Sequence, residues 1–321
     1  MPRSRPRRRR PPDFSLFPDP NLKRLFVFLS VLAAFFLAES LVARDVVVAS
    51  YNVENYLKMK RGVGGKTVAD APKPEAEIAA VVEAIQELSP DVLGIVEIGE
   101  KADLEDLRSR LAAAGLEYPY QEWVKGSDPV RHVALLSKLP IVARNSLDEV
   151  AFELNGMQMH IGRGILDVTV ELPDKSPLRL IGLHLKSRRE VPEFDQVAMR
   201  AKEAWYVREH LNDVLKADPK LKLLVFGDLN DTKNEYPVKE LLGSSKDPLR
   251  LKNLFLTDRY GYRWTHYWAT ADIYSRIDYL LVSLGLWPQI DMDKSGISSA
   301  KTWYKGSDHR AVFATIKVPE K

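Results

Sequence analysis

The chain contains no cysteine. That excludes disulfides, cysteine–zinc sites and thiol nucleophiles from its chemistry. It does not exclude export, because 321 residues can bury an adequate core without cross-links. No repeat of fixed period runs through the sequence, and no long linker divides it after the first forty-odd residues. A long apolar run is missing too. The most apolar stretch, 25–38, has fourteen residues, where a helix crossing a bilayer takes about 20. Finally, an excess of one charge is missing from most of the chain. The 47 Lys and Arg against 44 Asp and Glu give +3 overall, but residues 1–43 hold eight of the former and three of the latter. The remainder has 39 against 41, a charge of −2. The apparent basicity belongs to the leader, so it is no argument that the rest binds nucleic acid.

The leader is distinctive. Arg7 to Arg10 stand in a row, and Lys23 and Arg24 precede the apolar run, which ends in Ala38-Glu39-Ser40. A basic region, a short apolar core and small residues at the first and third places resemble a secretory signal peptide, with cleavage after Ser40 or Ala43. An uncleaved signal anchor and a buried core helix are the alternatives. The arginine tract also fits a nucleic-acid arm or sequence upstream of the true start. The expectation is a leader over 1–43 and one domain over 44–321. The product would be exported, periplasmic or extracellular, or else held to the membrane by its N-terminal segment alone.

Beyond the leader, a composition 45% apolar and 28% charged is that of a folded domain. The β-branched run 46–51 reads as a buried strand. Residues 74–88 carry Ile78, Val81, Val82, Ile85 and Leu88 at helical spacing and open on proline. Residues 91–98 read as a second buried strand and 104–114 as a helix closed by Gly115. Shorter strands are expected at 132–137, 164–172 and 178–184, separated by turn signals such as Pro173-Asp174. A long amphipathic helix at 193–215 and strands at 221–226, 277–282 and 311–318 complete the pattern. The Gly-, Lys- and Pro-rich stretch 58–73 reads as a mobile loop. Strands followed by helices, with hairpin-like runs between, fit an α/β sandwich whose sheets pack face to face under outer helices.

Polar residues recur where these strands end. Leu224-Val225-Phe226-Gly227-Asp228-Leu229-Asn230-Asp231 runs apolar and then gives a carboxylate and an amide two positions apart. Residues so spaced share one side of a strand if the extended geometry continues. Tyr51-Asn52-Val53-Glu54-Asn55 ends a strand on an amide, and Gly94-Ile95-Val96-Glu97 ends one on a carboxylate. His184 sits in an apolar strand before the basic cluster Lys186, Arg188 and Arg189. Asp278 opens an apolar strand, and Asp308 and His309 stand together before the last one. Singly, each suits a cap, a turn or a satisfied core histidine. Six such clusters, all of metal-ligand or acid–base type, point to one site.

These segments, in this order, resemble the endonuclease/exonuclease/phosphatase superfamily, the deoxyribonuclease I-like fold, in its bacterial exported type. The resemblance covers residues from about 45 to 318. It implies a four-layer α/β sandwich, two mainly antiparallel packed sheets flanked by helices, and Mg²⁺-dependent hydrolysis of a phosphate ester, with Mn²⁺ or Ca²⁺ as alternatives. A hard cation eases attack on an anionic ester and takes oxygen ligands. On this basis Glu97, Asp308 and Asn52 are the metal candidates. His309 is a base or a cation, oriented by Asp278. Asp228 competes for the base role, Asn230 fixes water or phosphate, and His184 donates to the phosphate. Lys186, Arg188 and Arg189 are substrate candidates. The sequence departs from related bacterial patterns at His132, where an aspartate is common; the change bears on substrate preference or the metal's surroundings, or is a tolerated edge substitution. Nucleases, inositol-phosphate phosphatases and sphingomyelin phosphodiesterases share the fold. Lys58, Lys60, Arg61 and Lys66 suit a phosphate backbone or a solvated face, and Trp264, Tyr267 and Trp268 suit base stacking or simple packing; nucleic acid is the favoured substrate, and a monomer is expected. The alternatives are a lipid or small phosphoester as substrate, and an inactive binding module.

Overall fold

The computed structural model describes residues 44–190, 192 and 194–318. The leader expectation therefore lies outside the described residues. Strands β1 (Val46–Tyr56), β2 (Met59–Val63) and β3 (Lys66–Ala71) lead into helix α1 (Glu75–Leu88), β4 (Val92–Ile98) and helix α2 (Lys101–Ala113). Strands β5 (Tyr120–Val124), β6 (His132–Ser137), β7 (Ile141–Arg144), β8 (Ala151–Leu154), β9 (Met157–His160), β10 (Leu166–Glu171) and β11 (Pro177–His184) follow. Next come α3 (Gln196–Ala217), β12 (Leu223–Asp228), α4 (Tyr236–Leu242), β13 (Leu251–Asn253), β14 (His266–Trp268), β15 (Ile273–Ser275) and β16 (Asp278–Ser283). The last elements are β17 (Ile290–Ile297), the short helix α5 (Trp303–Gly306) and β18 (Val312–Ile316).

Two six-stranded sheets form, ordered β17-β18-β1-β4-β6-β5 and β13-β16-β12-β11-β10-β7. Pairing is antiparallel except at β1/β4 and β11/β12, the two places where a strand, a helix or crossover and a parallel neighbour follow the βαβ rule. The strand pleat sorts the apolar residues into layers. Val46 and Val48 of β1, Val92 of β4, Leu178 and Leu180 of β11, and Leu224 and Phe226 of β12 fill the layer between the sheets. The residues between them face outward. Ala49, Tyr51, Leu93 and Ile95 pack with Ile78, Val81 and Ile85 of α1 and with Leu104, Leu107 and Leu111 of α2. On the other side Ile181, Leu183, Val225 and Leu281 pack with Val207 and Leu211 of α3 and Leu241 of α4. Helices, sheet, sheet and helices make the four-layer α/β sandwich that the sequence implies.

Phe226 sets the sheet spacing at one point. A Cβ on Gly94 would lie 2.2 Å from its ring, and one on Gly182 would lie 2.6 Å from it. The two glycines, one in each sheet, make room for an aromatic ring that fills the middle layer.

Several expectations shift. Residues 58–73 are not a loop: β2 and β3 pair as an antiparallel hairpin with Val63 opposite Lys66, closed by Gly64-Gly65 at positive φ. Pro74 is the N-cap of α1 rather than its first residue. Helix α3 starts later than position 193, because the Asp195 carboxylate accepts from the N–H groups of Val197 and Ala198 and so fixes the N-terminus; Glu193 lies outside the described residues. Strand β12 runs on through Gly227 to Asp228, two residues past its last apolar side chain.

Candidate active site

The inner-face positions that carry apolar residues along each strand are taken over by polar ones at a single end of the sandwich. Asn52 follows Val48 on the inner parity of β1, His184 follows Leu180 on β11, and Asp228 follows Phe226 on β12. Asp278 precedes Leu280 on β16. Register keeps them level: His184 pairs with Asp228, and Asp228 with Asp278. Glu97 has the wrong parity for this face. A bulge between Val96 and Ile98 and a φ of 64° at Glu97 re-aim it, the usual effect of a bulge. Glu54, Asn55 and Asn230 also hold positive φ around the site. Such conformations cost about 1–3 kcal/mol each and persist where the surroundings enforce them.

His309 is the hub. Its Nδ1 lies 2.8 Å from Asp278 Oδ2. Its Nε2 is 3.4 Å from Asn52 Nδ2, 3.8 Å from Asp228 Oδ2 and 3.7 Å from Asp308 Oδ1. The Asn52 amide donates to Asp228 Oδ2 at 3.2 Å, and its own oxygen accepts from the Glu54 N–H at 3.0 Å, which orients it. His184 Nε2 stands 3.9 Å from Glu97 Oε1 and 4.0 Å from Asp228 Oδ2. The Glu97 carboxylate accepts from the Asn55 N–H at 3.0 Å. Thus Asn52, His184, Asp228, Asp278, Asp308 and His309 meet, with Glu97 joined through His184.

Asn230 does not share the strand geometry of Asp228. Extended geometry stops at Asp228, and Asn230 turns into the left-handed region with φ 52°. Its main-chain N–H donates to Asp228 Oδ1 at 2.8 Å, and its side-chain amide donates to Leu185 O at 3.0 Å. It steadies Asp228 and the segment after His184. Asp231 is anchored by a buried ion pair with Arg200 at 2.8 Å. Lys186 is half-buried, whereas Arg188 and Arg189 are exposed on the segment beyond β11. His132 is buried and turned to other partners: its Nδ1 is 2.6 Å from Lys125 O, and its ring lies 4.5 Å from that of Trp123.

The electrostatics follow from burying many carboxylates together. Desolvation, then the Asp278 charge, raises the Asp228 pKa to about 7. Desolvation and the Asp308 charge raise Glu54 to about 7 as well. Burial works against charge on His309, but the carboxylates of Asp278, Asp228 and Asp308 outweigh it and push the imidazole well above its ordinary value. His184 goes the other way: burial, then the nearby Arg163 and other cations, holds it well below and neutral. A centre with this much unbalanced negative charge and a donor set of carboxylate and amide oxygens with imidazoles fits a hard divalent cation. Glu97, Asp308 and Asn52 could hold one. The carboxylate and imidazole groups whose ligand atoms lie within 4.8 Å of one another among the described residues are His266, Asp308 and His309, and Asp228, Asp278 and His309; Glu97 belongs to neither. In the second group, however, His309 Nδ1 is already engaged by Asp278.

Two participants carried weak sequence signals. His266 opens β14, its Nε2 is 3.5 Å from Asp308 Oδ2, and its ring is 4.6 Å from that of His309. It sits between Trp264 and Tyr267 in a run that reads as aromatic packing. Glu54 follows Asn52 by two residues at the end of β1, where the amide is the stronger signal. Three of the chain's six histidines therefore gather here.

Paired sheets with acidic, amide and imidazole groups at one mouth define a phosphoesterase fold. Sequence comparison agrees: the chain belongs to the Endonuclease/Exonuclease/phosphatase family, whose model matches residues 49–309. Members are hydrolases acting on phosphoester bonds and typically use divalent metals. Among solved structures, the human Nocturnin catalytic domain is 17% identical, with a TM-score of 0.59, over 85% of this chain and 95% of that one. Truncated Caenorhabditis elegans TDP2 is 18% identical, TM-score 0.55, over 85% and 98%. An endonuclease/exonuclease/phosphatase from Bacteroides vulgatus is 14% identical, TM-score 0.58, over 86% and 100%. At these identities the likeness is one of fold. No curated protein matches the chain.

Proposed function

We propose that the protein is a Mg²⁺-dependent phosphodiester hydrolase, acting on nucleic acid by attack of an activated water. The carrying observation is the convergence of His309, Asp278, Asp228 and Asn52 within hydrogen-bonding reach, beside His184 and Glu97. A bound divalent ion at Glu97, Asp308 and Asn52 would supply Lewis acidity. Around it, protonated His309, held by Asp278, offers positive charge to a non-bridging phosphate oxygen. Asp228, held by Asn52 and by the Asn230 N–H, is the group placed to accept a proton from water. His184, neutral and buried, has one N–H to donate to growing negative charge. Mn²⁺ or Ca²⁺ would be substitutes.

A second reading has its own observation. Trp268, Ile273 and Tyr274 are about half exposed on the β14–β15 hairpin that carries His266, an apolar surface suited to a lipid phosphoester. We further propose that residues 1–43 direct export or anchor the chain, and that residues 44–321 act as a monomeric domain.

The test is turnover by the purified protein on supercoiled plasmid, on sphingomyelin and on bis(4-nitrophenyl) phosphate, each with Mg²⁺ and with EDTA. Metal-dependent nicking of plasmid is the expected result. Activity confined to the lipid would transfer the proposal to the second reading. No turnover on any substrate would leave a binding module.

A further inference from the structure

Three cations from separate segments gather on the His184 side of the centre, two of which no motif in the sequence marks. Arg131 ends the segment before β6, with its Nε 3.8 Å from Glu97 Oε2. The other oxygen of that carboxylate is the one 3.9 Å from His184, so Arg131 and His184 flank one group. Arg163 lies between β9 and β10 and is 5% exposed. Its Nη2 is 3.2 Å from Asp128 Oδ2, while its buried Nε has no partner among the described residues. Lys186 follows His184 by two residues. Its amino group lies 5.5 Å from the Phe194 ring, and it has no carboxylate within ion-pair distance among the described residues.

The surroundings hold these segments together. Asp128 Oδ1 accepts from the N–H groups of Val130 and Arg131 at 2.9 and 3.1 Å, so the carboxylate that pairs with Arg163 also shapes the turn presenting Arg131. Glu203 of α3 is fully buried. One of its oxygens accepts from the Gly162 N–H at 3.1 Å and the other from the Lys186 N–H at 2.6 Å. It thereby ties the residue before Arg163 to Lys186. Burial, then the Arg163 charge, lowers the pKa of Lys186 against the opposing pull of Glu203 and Asp128, and Arg131 adds to the lowering. Glu97 and Asp128 already pair with Arg131 and Arg163, so the cation left without an ion pair among the described residues is Lys186. Among the described residues the Arg163 Nε has no hydrogen-bond partner and the Lys186 ammonium no ion-pair partner, so both can take an acceptor.

We propose that Arg131, Arg163 and Lys186 form a subsite for a second phosphate group of the substrate, adjacent to the one being hydrolysed. The proposal rests on the phosphoester hydrolase reading and narrows its substrate class to esters bearing another phosphate close by. Such a group is found on a terminally phosphorylated nucleotide chain and on a phosphorylated inositol headgroup.

The test uses the full chain and two substrate pairs. One is a dinucleotide ending in a 5′- or 3′-phosphate against the same dinucleotide ending in hydroxyls. The other is a short-chain phosphoinositide bisphosphate against its monophosphate. In each pair the ratio of kcat/KM values is measured for wild type, Lys186→Gln and Arg131→Gln. Arg131 and Lys186 are partly exposed, so these variants avoid the folding risk of replacing Arg163. The expected result is a wild-type preference for the doubly charged member of one pair, falling about tenfold or more in each variant, the scale of one charge-assisted hydrogen bond. The pair that shows it identifies the source of the phosphate. Turnover of bis(4-nitrophenyl) phosphate with no preference in either pair, or with ratios unmoved by both variants, would overturn the subsite and leave the hydrolase reading intact. If nothing is turned over, the hydrolase reading falls, and pyrophosphate binding by calorimetry in EDTA decides. Binding weakened about tenfold in the variants upholds an anion site; equal binding rejects it.

Discussion

Replacing Gly227 by alanine joins the fold to the chemistry most tightly. Gly227 has a φ of 137°, and an added Cβ would lie 1.9 Å from the Leu183 carbonyl oxygen. Real Cβ contacts essentially never fall below 3.0 Å, so the two strands must separate locally by more than an ångström. The obstacle is main chain, which cannot rotate away as a side chain can. Leu183 and Gly227 are partners in the β11/β12 ladder, and the next pair along is His184 with Asp228. Any parting of the strands therefore displaces two site residues directly. The strained φ alone costs about 1–3 kcal/mol, and loosened packing adds to it. A shift of about an ångström at a reacting group costs on the order of 10²-fold in rate. Urea unfolding would report the first effect and metal-dependent hydrolysis of bis(4-nitrophenyl) phosphate the second. A Gly227→Ala protein with wild-type midpoint and turnover would show that the strand end does not position Asp228 as described.

Asp278→Asn should lower turnover by about 10²–10⁴-fold with the circular dichroism spectrum unchanged, and an NMR titration should show His309 losing its proton at lower pH than in wild type. His309→Ala and Asp228→Ala should each remove most turnover in a folded protein; near-normal rates at either position would remove that residue from the mechanism. Away from the site, buried Asp167 accepts from Arg179 at 2.8 and 2.5 Å and lies 2.8 Å from His210. Burial raises its pKa, but the His210 and Arg179 contacts outweigh burial and hold it below the ordinary value. Its contribution is thus fully present above the unfolded carboxyl pKa of about 3.9 and is lost as pH falls through the lower folded value. Asp167→Asn should cost about 1.5–3 kcal/mol at neutral pH and flatten the acid limb of stability against pH, measured by urea unfolding across pH 2–7.

The layers were legible in the sequence because strands buried on both faces read as continuous apolar runs, and those of β1, β4, β11, β12 and β16 are long enough to notice. The candidate site was legible where a polar residue opens, ends or interrupts such a run, as Asn52, Glu97, His184, Asp228 and Asp278 do. Strands that bury one face or pair only at an edge were less visible. Alternation in Met59–Val63 and Lys66–Ala71 is lost among charged residues, and Ile290–Ile297 is a mixture of acidic, small and apolar side chains. The spacing of Asn230 to Asp228 places them on one face only in extended backbone, and Asn230 is left-handed, with φ 52°. His266 reaches the site from a segment whose partner, Asp308, lies over 40 residues away in sequence, a proximity that only the closed sandwich creates.

Crystals grown with Mn²⁺ and phosphate, with data collected at the manganese absorption edge, test the central claim most directly. The expected result is an anomalous peak ligated by Glu97 and flanked by Asn52 and Asp308, with phosphate against His184 and His309. A manganese peak remote from Glu97, or phosphate bound away from both histidines, would contradict it.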